Sequence, residues 1–276
     1  MLNGALTIGD QLDAVLSQAF DGPFEVLVAD NGSTDGTVDL VRARSATDSR
    51  VRLVDASAGP RSAGAARNAG AEQAVADHLV FCDADDVVRP GWLSAIQKGL
   101  LVSPVVTATL EYWSLNPQVS PRTQPEYVDG YQVCGVPGIC SGAFGIRRAT
   151  FAAVGRFAPV FAGAEDSELA VRLHRSGHVP VHQPDAVVSV RLRARATDAF
   201  RRGRNLRGSV VTIRSFHGIP QPSARQMLKR LAWDVRVLLT TSWCGIRPSG
   251  RVAWMHRAGE TVADAEFAVR RLLRRV

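Results

Sequence analysis

At 276 residues, with 46% hydrophobic and 21% charged side chains, the chain has the make-up of a folded protein, with room for one α/β domain and a short appendage. Its net charge of +7 rests almost wholly on arginine, since Lys98 and Lys229 are the two lysines among 33 basic residues. A planar fork of donors suits phosphate, so nucleotides and lipid phosphates stay on the list of partners. No stretch approaches the roughly 18 apolar residues of a membrane span, and residues 1–10 lack the order of a secretory signal, which points to the cytosol or the inner face of a membrane.

From Phe24 onward strand and helix signals alternate. Phe24 to Asp30 is an apolar run ending in a carboxylate, and the turn residues Asn31 to Thr34 lead into a helix from about Gly36 to Arg44. A strand near Val51–Val54, a Gly/Pro/Ser loop and an Ala-rich helix to about Val75 follow. His78 to Asp83 is a third strand ending in acid, and the next helix is expected to carry Pro90 in its first turn. Such alternation predicts a mostly parallel sheet that binds ligands beyond the carboxyl ends of its strands.

After Val105–Tyr112 the pattern loosens into an expected long loop from Asn116 to Pro137. Gly142–Arg148 reads as a strand, Ala149–Val154 as a short helix, and Glu165–Ser176 as an amphipathic helix closed by Gly177. Residues 198–276 read as mainly helical. Near the end, Thr261 and Asp264 match a capping pattern, ahead of an apolar stripe of Val262, Ala265, Val269, Leu272, Leu273 and Val276. Cys82, Cys134, Cys140 and Cys244 form no CxxC pair and read as free thiols. His174, His178 and His182 stand four apart, but Gly177 and Pro180 break any helix that would align them, so they read as loop and strand residues.

Three acidic clusters carry the chemistry. Asp83, Asp85 and Asp86 crowd a strand end, where their mutual repulsion calls for a hard cation such as Mg²⁺ or Mn²⁺ shared with a diphosphate. Asp30–Thr37 combines small residues that admit a ligand to the backbone with side chains able to meet a nucleobase or ribose; Ser33 or Thr34 also suits a helix cap, with Asp35 on the dipole. Glu165–Asp166 stands at a helix start. Together these are the parts needed to move a group from an activated diphosphate to a hydroxyl.

These residues lie in motifs that resemble a family 2 glycosyltransferase of the GT-A fold, an α/β fold with a mostly parallel sheet flanked by helices. The motifs are Val28–Thr37, Gly64-Ala-Ala-Arg-Asn-Ala-Gly70, Phe81–Asp86, Ser141–Arg148 with Val154–Phe157, and Gly163–Leu169 with Arg172 and Leu173. Five motifs in order, from about Asn3 to Arg191, are far more specific than any one. The resemblance implies an inverting transfer from a nucleotide sugar to a hydroxyl acceptor, whether a cell-envelope glycan, a lipid-linked sugar or a secondary metabolite. By motif, Asp30 and Asn31 would lie at the nucleoside and Arg67 near the donor. Asp83 and Asp85, with Asp86 as an alternative to Asp85, would hold Mg²⁺ or Mn²⁺, and Asp166 would be the general base.

The chain departs from the family at Asn31, where a second Asp is common, and at Gly155-Arg156-Phe157, where Gly-Gly-Phe is usual. Family members also begin with an apolar strand ending near Pro-x-Tyr-Asn, whereas this sequence starts at Met1-Leu2-Asn3, so the first strand is expected to be missing through a misplaced start or a degraded copy. The expected division is a glycosyltransferase domain over 1–195 and a basic helical extension over 196–276. Those helices suit peripheral membrane contact, and their sparse aromatics argue against nucleic acid. The competing readings are an impaired homologue, a membrane-surface binding protein and a nucleotidyltransferase, the last disfavoured because no N-terminal phosphate loop is present.

Overall fold

The computed structural model describes residues 1–117, 132–192, 195–246 and 248–273. The chain divides into two compact units, Met1–Leu115 with Pro121–Arg191, and Asn116–Ser120 with Leu192–Val276.

The first unit opens with helix α1 (Ile8–Leu16), whose buried side is Ile8, Gln11, Leu12 and Val15. Strand β1 (Val26–Asp30), helix α2 (Thr37–Thr47), strand β2 (Val51–Asp55) and helix α3 (Ala63–Gln73) follow in βαβα order. Ser62 caps α3 by accepting from Ala65 N at 3.2 Å. The α2 start departs from expectation: Asp35, rather than Ser33 or Thr34, takes the Thr37 N–H at 3.0 Å, because Ser33 is engaged by Asp30.

Next come β3 (His78–Cys82), β4 (Val87–Val88), α4 (Trp92–Val102) and β5 (Val105–Glu111). Pro90 lies before α4 rather than in its first turn, since Gly91 at φ 84° reverses the chain and takes the cap position. The end of the expected long loop is a hairpin of β6 (Gln132–Val133) and β7 (Val136–Pro137), turned through Cys134 and Gly135 at positive φ; residues 118–131 lie outside those described. Strand β8 (Ala143–Arg147), helix α5 (Arg148–Ala153), a single turn at Pro159–Phe161, helix α6 (Glu165–Arg175) and strand β9 (Val181–Ser189) complete the unit.

Pairing is mixed rather than mostly parallel. Strands β1 and β2 form a parallel pair, while five strands run in the order β3-β8-β5-β9-β4. In that sheet only β5–β9 is parallel. The cause is β8, which inserts antiparallel between β3 and β5, the two strands that α4 connects as a crossover. Along the other edge of β1, the Met1 ammonium donates to Ala29 O and Met1 O accepts from Asn31 N at 2.8 Å; no strand pairs there among the described residues. One core joins Trp92, Ile96 and Leu100 to Val106, Leu110, Ala143 and Val188, and a second joins Ile8 and Leu12 to Val28, Val41 and Val51. Burial of these side chains supplies the main stabilisation, about 1.5–3 kcal/mol for each large one.

The second unit is helical: α7 (Ala196–Phe216), α8 (Ala224–Thr240), α9 (Ser242–Ile246) and α10 (Pro248–Leu273). Ser223 and Gln226 form a reciprocal capping box on α8. Helices α7 and α10 touch backbone to backbone, since a Cβ on Gly203 would stand 2.0 Å from His256 O and one on Gly259 2.0 Å from Phe200 O. This contact overrides the expected cap at Thr261. Helix α10 runs straight through it, with the Thr261 hydroxyl donating to Arg257 O at 2.9 Å. The expected apolar stripe is displaced too: Val262 and Val269 are exposed, while Gly259, Thr261 and Ala263 are buried. The side chains of Leu272 and Leu273, and residues 274–276, lie outside those described.

Candidate active site

Two strand ends and two helix starts of the first unit build one polar cluster. At the end of β1, the Asp30 carboxylate accepts from Gly32 N at 3.1 Å, Ser33 N at 3.0 Å and Ser33 Oγ at 2.5 Å, closing the loop upon itself. Asn31 is 5% exposed; its amide donates to Ser62 O at 3.2 Å, but its Oδ1 has no hydrogen-bond partner. A buried acceptor without a donor costs about 1–3 kcal/mol, so this oxygen has capacity to accept one more hydrogen bond.

Beyond β3, the acidic turn is held at several points. Gln11 on α1 donates to Asp83 O at 2.9 Å and accepts from Val88 N at 3.0 Å. Seven residues on, Gln18 repeats the device with Arg89 O at 3.1 Å and Leu93 N at 3.3 Å. Arg191 donates through Nε to Asp85 O at 3.0 Å, and its backbone N–H meets the Asp86 carboxylate at 2.8 Å. Asp86 is therefore buried and bonded, whereas Asp85 presents an exposed side chain. Gly142 leaves room for the Asp83 carboxylate, whose Oδ2 would lie 2.5 Å from a Cβ there.

Arg67, on α3, joins this turn to α6. Its guanidinium donates to Asp83 Oδ1 and, at 2.9 Å, to Glu165 Oε1, and lies 5.7 Å from the centre of the Phe157 ring. Burial alone would lower the Arg67 pKa, but the Asp83 and Glu165 carboxylates outweigh it and raise the pKa above the usual arginine value. Glu165 is fixed in turn by Gly163 N at 2.8 Å. Asp166 accepts from Ser167 N at 2.6 Å and Ser141 N at 3.3 Å. Burial first, then the neighbouring Glu165 charge, pushes its pKa above the ordinary aspartate range. A partly buried carboxylate with a raised pKa is suited to take a proton.

Behind the cluster, Phe81, Phe144, Phe151 and Phe157 stack ring to ring. Asn68, next to Arg67, clasps the Phe157 backbone with both amide atoms, at 2.8 and 3.1 Å, and Arg172 holds Glu168 and the carbonyls of Val154 and Arg156. Burial, reinforced by Asp83 at Cys82 and by Asp166 at Cys140, pushes both thiols up to about 12, so they stay protonated. None of the four cysteines forms a disulfide among the described residues. The three histidines do not meet: His174 is on α6, His178 follows it, and His182 on β9 contacts Thr109 Oγ1 at 3.2 Å.

Of the residues singled out in the sequence, Arg67 and Asp83 are joined directly, and Asp166 adjoins their partner Glu165. Asp30 and Asn31 stand at the neighbouring strand end. Gln11, Gln18 and Asn68 escaped notice, although a glutamine within the apolar stripe of α1, beside Ile8, Leu12 and Val15, is a readable signal of a buried polar strut. Among the described residues no group of three or more His, Cys, Asp or Glu side chains forms a complete metal cage. Asp83 and Asp85 nevertheless suit a hard divalent ion, since Mg²⁺ commonly takes one or two carboxylates and fills its shell with phosphate oxygens and water. The donors are oxygens, and the turn that presents them is pinned.

Comparison with known proteins gives the family and the fold. The family model described as glycosyl transferase family 2 matches residues 1–154. The glycosyltransferase AglE of Haloferax volcanii is 40% identical over 93 residues, covering 33% of this chain and 30% of that protein. The glycosyltransferase GlyA of Streptococcus pneumoniae is 26% identical over 105 residues, covering 38% of this chain and 15% of that protein. The matches thus span less than a third of these relatives' own length. Among solved structures, the mannosyltransferase PcManGT from Pyrobaculum calidifontis, in complex with GDP-Man and Mn²⁺, superposes with a TM-score of 0.63 at 19% identity, over 98% of this chain and 85% of that one. That likeness identifies the fold as GT-A, with a C-terminal helical region. With a family model covering more than half of the sequence, the chain belongs to glycosyl transferase family 2.

Proposed function

We propose that the protein transfers a sugar from a nucleotide-sugar donor to an acceptor hydroxyl with inversion at the anomeric carbon. The observation that carries this reading is the Arg67 bridge. It ties the acidic turn at the end of β3 to the start of α6, 98 positions apart in sequence from Arg67 to Glu165, and so sets Asp83 and Asp166 in one site. In this reading the Asn31 Oδ1 accepts an N–H of the nucleobase, a donor that both uracil and guanine possess. Asp30 shapes the loop that receives the base, since its carboxylate is engaged with that loop.

Asp83 and Asp85 would hold Mg²⁺ or Mn²⁺, which supplies positive charge to the departing nucleoside diphosphate. Manganese accompanies the nucleotide sugar in the PcManGT structure, which favours the same assignment here. Asp166 takes the acceptor O–H proton as the new C–O bond forms at the anomeric carbon. The old C–O bond to the diphosphate breaks on the opposite face, its electron pair leaving with the phosphate oxygen. Arg67 lends positive charge beside Asp83 and holds Glu165 so that Asp166 keeps its place.

Donor hydrolysis and transfer with UDP-, GDP- and dTDP-sugars and Mn²⁺ test this reading. One donor class is expected to turn over, and Asp166→Asn to lower turnover by about 10²–10⁴-fold while leaving donor affinity close to unchanged. Failure to bind any nucleotide sugar, or full turnover by the variant, would sink the assignment.

A further inference from the structure

We infer that the outer face of α8 is a docking surface for an anionic lipid bilayer. The two sides of this helix differ sharply. Its inner side faces α10: Trp254 Nε1 donates to Leu238 O at 3.1 Å, Arg257 pairs with Asp234 at 3.4 Å, and Arg230 pairs with Asp264 at 3.4 Å. The outer side carries Leu228, Ala232, Val235 and Leu239 at spacings of four, three and four, a single stripe at about 3.6 residues per turn. All four are exposed, Leu228 at 61% and Leu239 at 71%. Because α10 already occupies the inner side, it leaves this stripe uncovered.

Charge decides what covers it. Arg225, Lys229 and Arg236 are exposed along one flank of the stripe, and none forms an ion pair among the described residues. The single acid of α8, Asp234, points inward and is 8% exposed. The outer face is therefore apolar and cationic with no carboxylate. A second copy docking face to face through a two-fold axis would bring like charges together, which opposes self-association. Trp233, 60% exposed, lies on the same helix four residues after Lys229 and three before Arg236, so an indole stands beside the cationic flank, where an apolar ring with a polar N–H suits the boundary of water and hydrocarbon. An apolar stripe, flanking cations and an exposed indole together match a helix lying in the plane of a membrane interface.

Several other cations of this unit are paired with its own acids. Arg204 pairs with Glu266, Arg207 with Glu260 and Asp264, and Arg201 with Asp198. No described helix is long and apolar enough to cross a membrane. The contact on α8 is thus a surface one, and it stands independently of the transfer reaction.

Vesicle co-sedimentation of the full chain provides the test, with phosphatidylcholine alone or mixed with phosphatidylglycerol, at low and high salt. Binding is expected only to the anionic vesicles, with loss of affinity as salt rises. Arg225→Gln/Lys229→Gln/Arg236→Gln is expected to weaken it about 100-fold, and Leu228→Gln/Leu239→Gln by about tenfold or more. Circular dichroism should show unchanged folding, since every altered side chain is exposed. A charge-matched control, Arg201→Gln/Arg202→Gln/Arg270→Gln, should bind like the parent. Equal loss in that control, equal binding to neutral vesicles, no binding at all, or a dimer by light scattering that the leucine variant dissolves would each overturn the inference.

Discussion

Arg67 in the first unit and Arg207 in the second are equally secluded, with side chains 14% and 15% exposed, and each faces two carboxylates. Their geometry separates them. Arg67 makes directed hydrogen bonds to Asp83 and Glu165, whereas Arg207 lies 3.6 Å from Glu260 and 3.4 Å from Asp264, with its Nε making no hydrogen bond. Directed bonds fix one arrangement of side chains; looser pairs hold two helices together without specifying atoms. Burial therefore does not separate these two arginines, since both also join distant segments, and the directed bonds of Arg67 do.

The sharpest way to break this comparison is to remove each guanidinium while keeping an apolar stem. Arg67→Met leaves Glu165, itself 4% exposed, without its partner, and is expected to cost about 3–5 kcal/mol in a denaturant titration. Adding Glu165→Gln should recover part of that loss, because the stranded charge is then gone. Arg207→Met leaves two partly solvated acids and is expected to cost about 1–2 kcal/mol. Equal losses at the two positions would remove the distinction.

A smaller effect tests what holds the second unit together if its ion pairs are loose. Gly259→Ala should cost about 1–3 kcal/mol in a thermal melt, since the new methyl meets the α7 backbone. Gly208→Ala, on α7 itself but with nothing within 4 Å of the new Cβ, is expected to gain about 0.5–1 kcal/mol from helix propensity. Similar shifts in both would place the helix contact elsewhere.

The smallest effect concerns Asp166. Its pKa is raised in the fold, so between the unfolded and folded values the native state holds more protons than the unfolded one, and stability falls as pH rises through that window. Above the folded pKa the ionised carboxylate is a standing cost, relieved as pH drops. Asp166→Asn should therefore melt slightly higher than the parent at neutral pH, with the gap closing toward acid, even as turnover is lost. A gap that widens toward acid would contradict the burial of this carboxylate.

Much of the fold was legible because local chemistry and tertiary structure agreed. Strands β1 and β3 announced themselves by apolar runs ending in acid, and α6 by its amphipathic pattern. The antiparallel insertion of β8 was not legible, since a strand's direction depends on its neighbours and not on its own residues. Thr261 misled for the opposite reason: its capping chemistry is genuine, but the close approach of α7 at Gly203 and Gly259 carries the helix through it. Two glycines inside helical patterns were the available warning. At the site, residue types pointed to the acidic clusters at Asp83 and Glu165–Asp166 and the family motifs to Asp166 itself, while the Arg67 bridge needed three dimensions.

The struts on the acidic turn carry one further implication. Gln11 grips the turn at Asp83 O and Val88 N, and Arg191 grips it at Asp85 O and the Asp86 carboxylate. The backbone that presents Asp83 and Asp85 is thus ordered when the chain folds, and a ligand arriving there has little more than side-chain rotamers to freeze. Conformational entropy of about 1–2 kcal/mol per backbone residue, which a slack loop would lose on every binding event, is lost once, at folding. If the proposed transfer runs at this turn, helix α1 acts on donor affinity through Gln11 without touching the donor.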